Sequence, residues 1–412
     1  MTGASRVLND PKLARLLAAL AATGRESRVV GGAVRDALLG LEPHEIDIAT
    51  AALPEAVAKA AQDAGLKVVP TGLAHGTMTV VVEGTPFEVT TLREDVETYG
   101  RAAKVRFGAD FEKDALRRDF TVNALSLSPD GRLHDYTGGQ ADLKQRKIRF
   151  IGDPATRIAE DYLRVLRFFR FHAAIGEGPL DPPGLHAAIL ARENLSLLSR
   201  ERIRAELLKL LVARRAAATI REMSRAGVIE ILLGMDYPAR LERFIAIETT
   251  RGASIDPIAR LAALAVVVRE DAERLRERLR LSNAEYARLA LAAGLVEELH
   301  GRDGRFSPHE LNTMLFLHGR AGAANALALL HAESDAAPDD AGWRQAATFI
   351  AEAEPPTFPL KGADLVARGV APGRALGAAL KRLQANWIRA GFPRDPRRVL
   401  QLLEDVAPNG ED

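Results

Sequence analysis

Short runs of Val, Ile, Thr and Phe crowd the first third of the chain, at residues 28–31, 46–50, 67–70, 78–83, 87–91 and 122–128. These residue types suit a pleated, half-buried surface. Gly31-Gly32, Gly72, Gly84 with Pro86, and Pro129-Asp-Gly131 bound the runs as turns. Helical periodicity occupies 33–39 and 54–64 between them. Strands interleaved with short helices predict an α/β or α+β domain ending near residue 145.

Beyond Asp153-Pro154 the texture changes to apolar positions three and four apart. Helices are predicted over 159–172, 184–191, 199–211, 216–226, 257–269, 283–299 and 308–318. Residues 334–340, with Pro338, and 352–359 read as linkers, and a last helical unit covers 362–406. With 412 residues the chain exceeds one compact core. The expected division is a head over 1–145, a helical neck over 146–215, a helical body over 216–333 and a helical tail over 341–412.

Composition narrows the chemistry. Hydrophobic residues at 47% with 27% charged describe a folded chain. The absence of cysteine excludes disulfides, thiolate metal sites and cysteine nucleophiles. A net charge of +1 means that any nucleic-acid surface must be local. No apolar run is long enough to span a membrane, and the start carries no signal-peptide stretch, so a cytoplasmic protein is expected. Nothing in the pattern sets an oligomeric state.

Two features carry candidate chemistry. Val29-Val-Gly-Gly-Ala-Val-Arg-Asp36 runs from a strand through Gly31 and Gly32 into a helix. Glycines let the backbone approach a ligand closely, a helix start offers N–H groups to an anion, and Arg35 lies one turn in to add a bidentate phosphate contact. Ten residues on, Glu45-Ile-Asp-Ile48 alternates acidic and apolar. In a strand Glu45 and Asp47 share one face, and two carboxylates there invite a hard divalent cation, Mg²⁺ or Mn²⁺. Alone, each pattern also suits an ordinary strand corner or a solvated acidic edge; together they point to a nucleotide site.

Gly31-Gly-Ala-Val-Arg-Asp36 followed by Glu45-Ile-Asp47 and Thr50 resembles the nucleotidyltransferase signature of class II tRNA CCA-adding enzymes, which bacterial poly(A) polymerases share. The resemblance continues through Phe87-Glu-Val-Thr-Thr-Leu-Arg93, Arg117-Arg-Asp-Phe-Thr-Val-Asn-Ala124, Asp135-Tyr-Thr-Gly-Gly139, Glu160-Asp-Tyr-Leu-Arg164 and Ser199-Arg-Glu-Arg202. A weaker likeness covers Lys361-Gly-Ala-Asp-Leu365 and Gly369-Val-Ala-Pro-Gly373. It implies an α+β fold: a polymerase-β-like head with a mixed sheet, then an elongated all-α neck, body and tail. One position departs from the pattern, because the family usually has Asp where this chain has Glu45.

The implied activity is template-independent addition of CCA to the 3′ end of tRNA from CTP and ATP, with release of pyrophosphate. Two Mg²⁺ ions, replaceable by Mn²⁺, would be held by Glu45 and Asp47, the catalytic pair. Glu88 is the candidate third carboxylate, since the alternation of 87–91 aims Glu88 and Thr90 to one side. By the same resemblance Asp119 contacts the ribose hydroxyl and Arg118 the triphosphate.

Asp161 and Arg164 stand three apart, neighbours on one helix. A carboxylate only accepts hydrogen bonds and a guanidinium only donates them, so Asp161 can take the exocyclic amine of cytosine or adenine while Arg164 serves the adjacent ring acceptor. Guanine and uracil present a carbonyl instead, a mismatch costing about 1–3 kcal/mol. This selects C and A without setting their order. Arg167 and Arg170 continue the row but turn away around the helix, so orientation or phosphate contacts are expected of them.

Residues 200–225 carry eight positive and three negative side chains. Arg200, Arg202, Arg204 and Lys209 are the candidate RNA-binding residues there. Trp387, amid the basic residues of the tail, is expected to pack in the core. The histidines show no His-x-x-x-His spacing and receive no catalytic role. By the same resemblance, relatives that add only CC shorten the loop between the two halves of the head; residues 94–114 look full length, and a flexible loop there would favour complete CCA addition. The runner-up readings are poly(A) polymerase and a non-catalytic RNA- or nucleotide-binding relative.

Overall fold

The computed structural model describes residues 3–404 except 44, 73–75, 100–101 and 109, and only the backbone of 3–5, 94–99, 102–107, 396, 400 and 403–404. The chain divides into two compact units, Met1–Gly234 and Met235–Asp412.

The first unit opens with α1 (Gly3–Leu8) and α2 (Pro11–Ala21). Asp10 caps α2, its Oδ1 accepting from the Lys12 amide at 2.8 Å, and Leu13, Leu16, Leu17 and Leu20 are buried along one face. A mixed sheet follows from β1 (Ser27–Val30), β2 (Asp47–Thr50), β3 (Lys67–Gly72), β4 (Thr77–Val82) and β5 (Thr85–Thr91). The helices α3 (Gly32–Leu38) and α4 (Pro54–Asp63) are set between the strands. The two short strands β8 (Ser126–Leu127) and β9 (Leu133–His134) complete the spatial order β3-β4-β5-β2-β1-β8-β9. β2 and β5 run parallel, whereas the other paired neighbours are antiparallel.

Three expectations need correction. The segment 94–114 is largely structured: β6 (Arg93–Tyr99) and β7 (Ala102–Phe107) pair as an antiparallel hairpin, and α5 (Phe111–Leu116) follows. Gly100, Arg101 and Ala109 of this segment lie outside the described residues, as do the final residues of the 362–406 unit beyond Glu404. The run 122–128 is not one strand. Thr121–Asn123 forms a single 3₁₀ turn before β8, with Phe120, Val122, Leu125 and Leu127 all buried. A continuous apolar run buried on all sides has no period by which to tell its conformation.

The stretch 159–172 is two helices. α6 (Gly139–Lys144) and α7 (Pro154–Glu160) precede α8 (Leu163–Ile175), with the break at Asp161. Then come α9 (Pro182–Ala191), α10 (Arg200–Leu211), α11 (Ala216–Arg225) and α12 (Val228–Leu233). Phe120 and Phe150 pack on Phe168 and Phe171 of α8, with centroids 4.8–6.3 Å apart, so the sheet-bearing part and the first long helix share one aromatic core.

The second unit is helical among its described residues. It comprises α13 (Pro238–Thr250), α14 (Pro257–Ala265), α15 (Arg269–Leu279), α16 (Asn283–Leu299), α17 (Pro308–Glu333), α18 (Ala341–Glu352), α19 (Gly362–Val366), α20 (Arg374–Arg389) and α21 (Pro396–Glu404). α17 continues well past the predicted 308–318, across a break at Gly319 with φ 66°. Trp387 is buried as expected, donating to the Pro393 carbonyl at 2.9 Å and packing on Phe316, Phe358 and Phe392. Among the described residues, no helix is long and apolar enough to cross a membrane.

Candidate active site

Parallel pairing of β2 with β5 sets Asp47 directly beside Glu88. Their side chains share one face of the sheet, while Ile48 and Val89 point into the core. Glu45 precedes β2 rather than belonging to it, but its charge still acts on Asp47. Partial loss of hydration and then the Glu88 carboxylate push the Asp47 carboxyl above its usual range. Glu45 adds to the rise and Arg118 opposes it. All three acids are exposed, so the cluster is an open patch of hard oxygen donors short of positive charge. Such a donor set fits a divalent ion. Among the described residues no three His, Asp or Glu side chains group closely enough to hold a metal alone.

The glycine corner adjoins this patch. Gly31 adopts φ 71°, where side chains are disfavoured, and a Cβ there would lie 2.9 Å from Nη1 of Arg118. Arg118 is held in place by Asp114, whose Oδ2 accepts from Nη2 at 2.9 Å and from Nε at 3.1 Å. Burial alone would raise the Asp114 carboxyl, but Arg118 and Arg117 outweigh it and hold it low. The spacing of Asp114, three and four residues before the two arginines on α5 and its cap, is a helical ion-pair signal that the sequence reading left unused.

Asp119 is buried with both oxygens engaged. Oδ1 accepts from the Phe120 amide at 2.9 Å and the Asn123 amide group at 3.1 Å, and Oδ2 from Arg167 Nη2 at 2.6 Å. Burial tends to raise this carboxyl, yet Arg167 and the other donors keep it low. Any further donor to Asp119 must share one of these oxygens or displace one of these donors. Arg35 turns to Asn123 Oδ1 at 2.6 Å and to Asp36, and its guanidinium lies 5.0 Å from the Phe171 ring. All three of its guanidinium nitrogens are thus engaged by Asn123 and Asp36, where the sequence pattern predicts a bidentate contact to phosphate. Arg170 pairs with buried Glu206 and covers Phe171 at 4.0 Å.

Asp161 and Arg164 do not form the expected pair on one helix. Asp161 follows α7 as its C-cap residue and is extended, with φ −155° and ψ 106°, and its Oδ1 accepts at 3.1 Å from the amide of Leu163, the first residue of α8. A short carboxylate that captures a nearby amide ends one helix and starts the next, which explains the break. Its Oδ2 accepts from Arg202 at 2.6 Å. Arg164 donates to the Arg157 carbonyl at 2.7 Å and pairs with Glu160. Arg157 in turn donates to the carbonyls of Arg117 and Arg118, tying α7 to the segment that carries Arg118. Arg157 bonds backbone far away in sequence, so no local pattern announces it.

The Asp135-Tyr-Thr-Gly-Gly139 motif proves to be a brace. Asp135 accepts amides of Thr137, Gly139 and Gln140 at 2.9–3.1 Å. A Cβ on Gly139 would come within 2.2 Å of the Thr121 carbonyl oxygen, so this glycine presses the 3₁₀ turn carrying Asn123 into position. On α10, Arg200 and Lys209 are exposed, Arg204 is half-buried, and Arg202 is committed to Asp161.

Residues 27–149 match the family described as the Poly A polymerase head domain, and 185–237 match the Probable RNA and SrmB-binding site of polymerase A. The mitochondrial CCA tRNA nucleotidyltransferase 1 of Mus musculus is 34% identical over 387 residues, covering 92% of this chain and 86% of its own. The CCA-adding enzyme of Limosilactobacillus fermentum is 30% identical, covering 95% of this chain and 96% of its own. Among solved structures, the Bacillus stearothermophilus CCA-adding enzyme in complex with CTP superposes with TM-score 0.72 at 25% identity, covering 96% of this chain and 97% of that one. The chain therefore belongs to the CCA tRNA nucleotidyltransferase family, whose head is of the poly(A) polymerase type.

Proposed function

We propose that the chain is a nucleotidyltransferase that adds C, C and A to the 3′ end of tRNA, using CTP and ATP and releasing pyrophosphate. The observation that carries the reading is the acidic patch of Asp47, Glu88 and Glu45 beside the Gly31 corner and Arg118. Its family membership, spanning nearly the whole chain, supports the same activity.

Glu45 and Asp47, with Glu88 as third carboxylate, would hold Mg²⁺, with Mn²⁺ able to substitute and two ions per site. Mg²⁺ usually takes only one or two carboxylates and completes its shell with water and substrate phosphates, which suits an open patch. Divalent ions held there would supply a lowered pKa for the attacking hydroxyl and charge neutralisation for the departing pyrophosphate. The bare backbone of Gly31 and Gly32 gives the triphosphate its closest approach, and Arg118 offers guanidinium donors fixed by Asp114. Asp119 orients the ribose through one shared oxygen. Asp161 accepts the exocyclic amine of cytosine or adenine, and Arg164 donates to the neighbouring ring atom. Arg167 and Arg170 stiffen this wall through Asp119 and Glu206, and α10 offers Arg200, Arg204 and Lys209 to the RNA backbone. A cytoplasmic setting is part of the same proposal.

The test supplies a tRNA lacking its last three nucleotides with CTP and ATP, together and singly, and sequences the products. Addition of C, C and A followed by arrest is expected. Long tails from ATP alone would replace the reading with a poly(A) polymerase, and no incorporation from either nucleotide would replace it with a non-catalytic binder.

A further inference from the structure

We infer that Arg202 is a positioning residue for nucleotide choice, setting the carboxylate of Asp161 in its base-reading orientation from a different helix. The inference rests on the base-reading role proposed above for Asp161. Sequence pattern placed Arg202 in a basic strip facing RNA; the geometry turns it inward.

Asp161 sits at the break between α7 and α8, where its carbonyl accepts from the Arg164 amide at 3.0 Å but its side chain is held separately. Two bonds define its side chain. The Leu163 amide takes Oδ1 at 3.1 Å and Arg202 Nη2 takes Oδ2 at 2.6 Å. An ionised carboxylate has about four acceptor positions, so two remain after these bonds. The side chain keeps 34% of its accessible surface, and the remaining lone pairs have room for an incoming donor. The Leu163 bond alone fixes one oxygen and lets the carboxylate swing about its terminal torsion, which is broad for Asp. The Arg202 bond removes that freedom.

Arg202 is itself placed by structure. It lies in the first turn of α10, whose Ile203, Leu207, Leu210 and Leu211 are buried and whose Glu206 engages Arg170 of α8. Two ion pairs, Arg202–Asp161 and Arg170–Glu206, thus join the start of α10 to α8 and its entry. The half-exposed pair contributes little to stability, because solvent screens it. Its consequence is orientation, and orientation decides whether cytosine and adenine are told from uracil and guanine.

The test measures kcat and KM for all four nucleotides and for a tRNA acceptor with Arg202→Met, beside equilibrium titration of CTP, ATP, UTP and GTP without RNA. The expected result is a KM for CTP and ATP raised about tenfold and a preference over UTP and GTP reduced about tenfold, the size of one lost hydrogen-bond match. KM for tRNA should stay within about twofold. In an Asp161→Ala background, Arg202→Met should change discrimination no further, because coupled residues are not additive. Arg202→Lys, which keeps the charge but not the planar fork, should recover part of the preference; it also decides the matter if the methionine variant does not fold.

Unchanged discrimination in both variants, or a raised KM for tRNA with discrimination intact, overturns the inference and returns Arg202 to the RNA surface. If the unmutated protein itself shows no preference among the four nucleotides, the base-reading proposal fails and takes this inference with it.

Discussion

Asp47 concentrates the site's chemistry in one side chain: in register with Glu88, sensitive to Glu45 and faced by Arg118. Asp47→Ala should lower nucleotide incorporation on the order of 10³-fold, from the several kcal/mol that bound metal contributes to charge stabilisation. Because Asp47 is exposed, thermal unfolding should barely move, and a comparable loss of stability would contradict the assignment. A second residue-level prediction concerns pH. Burial, with Arg215 adding to it, lowers the buried His172 from 6.5 to about 4. Between those values the unfolded chain binds a proton that the folded chain refuses, so stability falls as pH drops from 6.5 toward 4. The loss should reach about 3 kcal/mol, and His172→Gln should flatten the pH dependence of Tm across that window. Much at this scale was legible, because acid spacing and glycine pairs are local signals. Glu88 could be nominated by strand alternation, but only the parallel register brings it to Asp47. Asn123, Asp114 and Arg157 act through partners that no single pattern names, although Asp114 stood at helical spacing from Arg117 and Arg118.

Elements fared differently according to what sets their boundaries. The strands 77–82 and 85–91 follow alternation, 27–30 is buried throughout, and all three were foreseen to within two residues. α2 was missed despite Asp10-Pro11 ahead of leucines at helical spacing, a capping signal present in the chain. The break at Asp161 was missed for a physical reason. Apolar periodicity runs through Leu163, Leu166 and Phe169 of α8 and, on α7, Ile158, whereas the break depends on one side chain capturing one amide. Likewise the 3₁₀ turn at Thr121–Asn123 is held by Gly139, a contact across the fold. Gly139→Ala tests that brace. Its Cβ cannot coexist with the Thr121 carbonyl 2.2 Å away, so backbone must shift. A destabilisation of about 2–3 kcal/mol is expected in chemical unfolding, on the scale of overpacking in a filled core. Tm and m-value unchanged from the unmutated protein would show that the turn is held by something else.

For the whole molecule, a near-neutral chain organises charge locally, and part of the local excess is paired within the protein. Arg202 is paired with Asp161, while Arg214 and Arg215 donate to the Gly176 and Gly178 carbonyls and Arg214 stays exposed. The two-part texture of the chain was plain from its periods, but the first unit extends to Gly234 because the phenylalanines of α8 complete the core begun under the sheet. The proposed chemistry depends on Asp47 and Glu45 gripping divalent ions beside the glycine corner. A crystal structure of the full chain with Mg²⁺ and CTP measures this directly. The predicted result is metal at about 2.0–2.1 Å from Asp47 oxygen, with Glu45 in the same shell, and the triphosphate lying against Gly31 and Arg118. Density showing both carboxylates turned away from metal and nucleotide would contradict it.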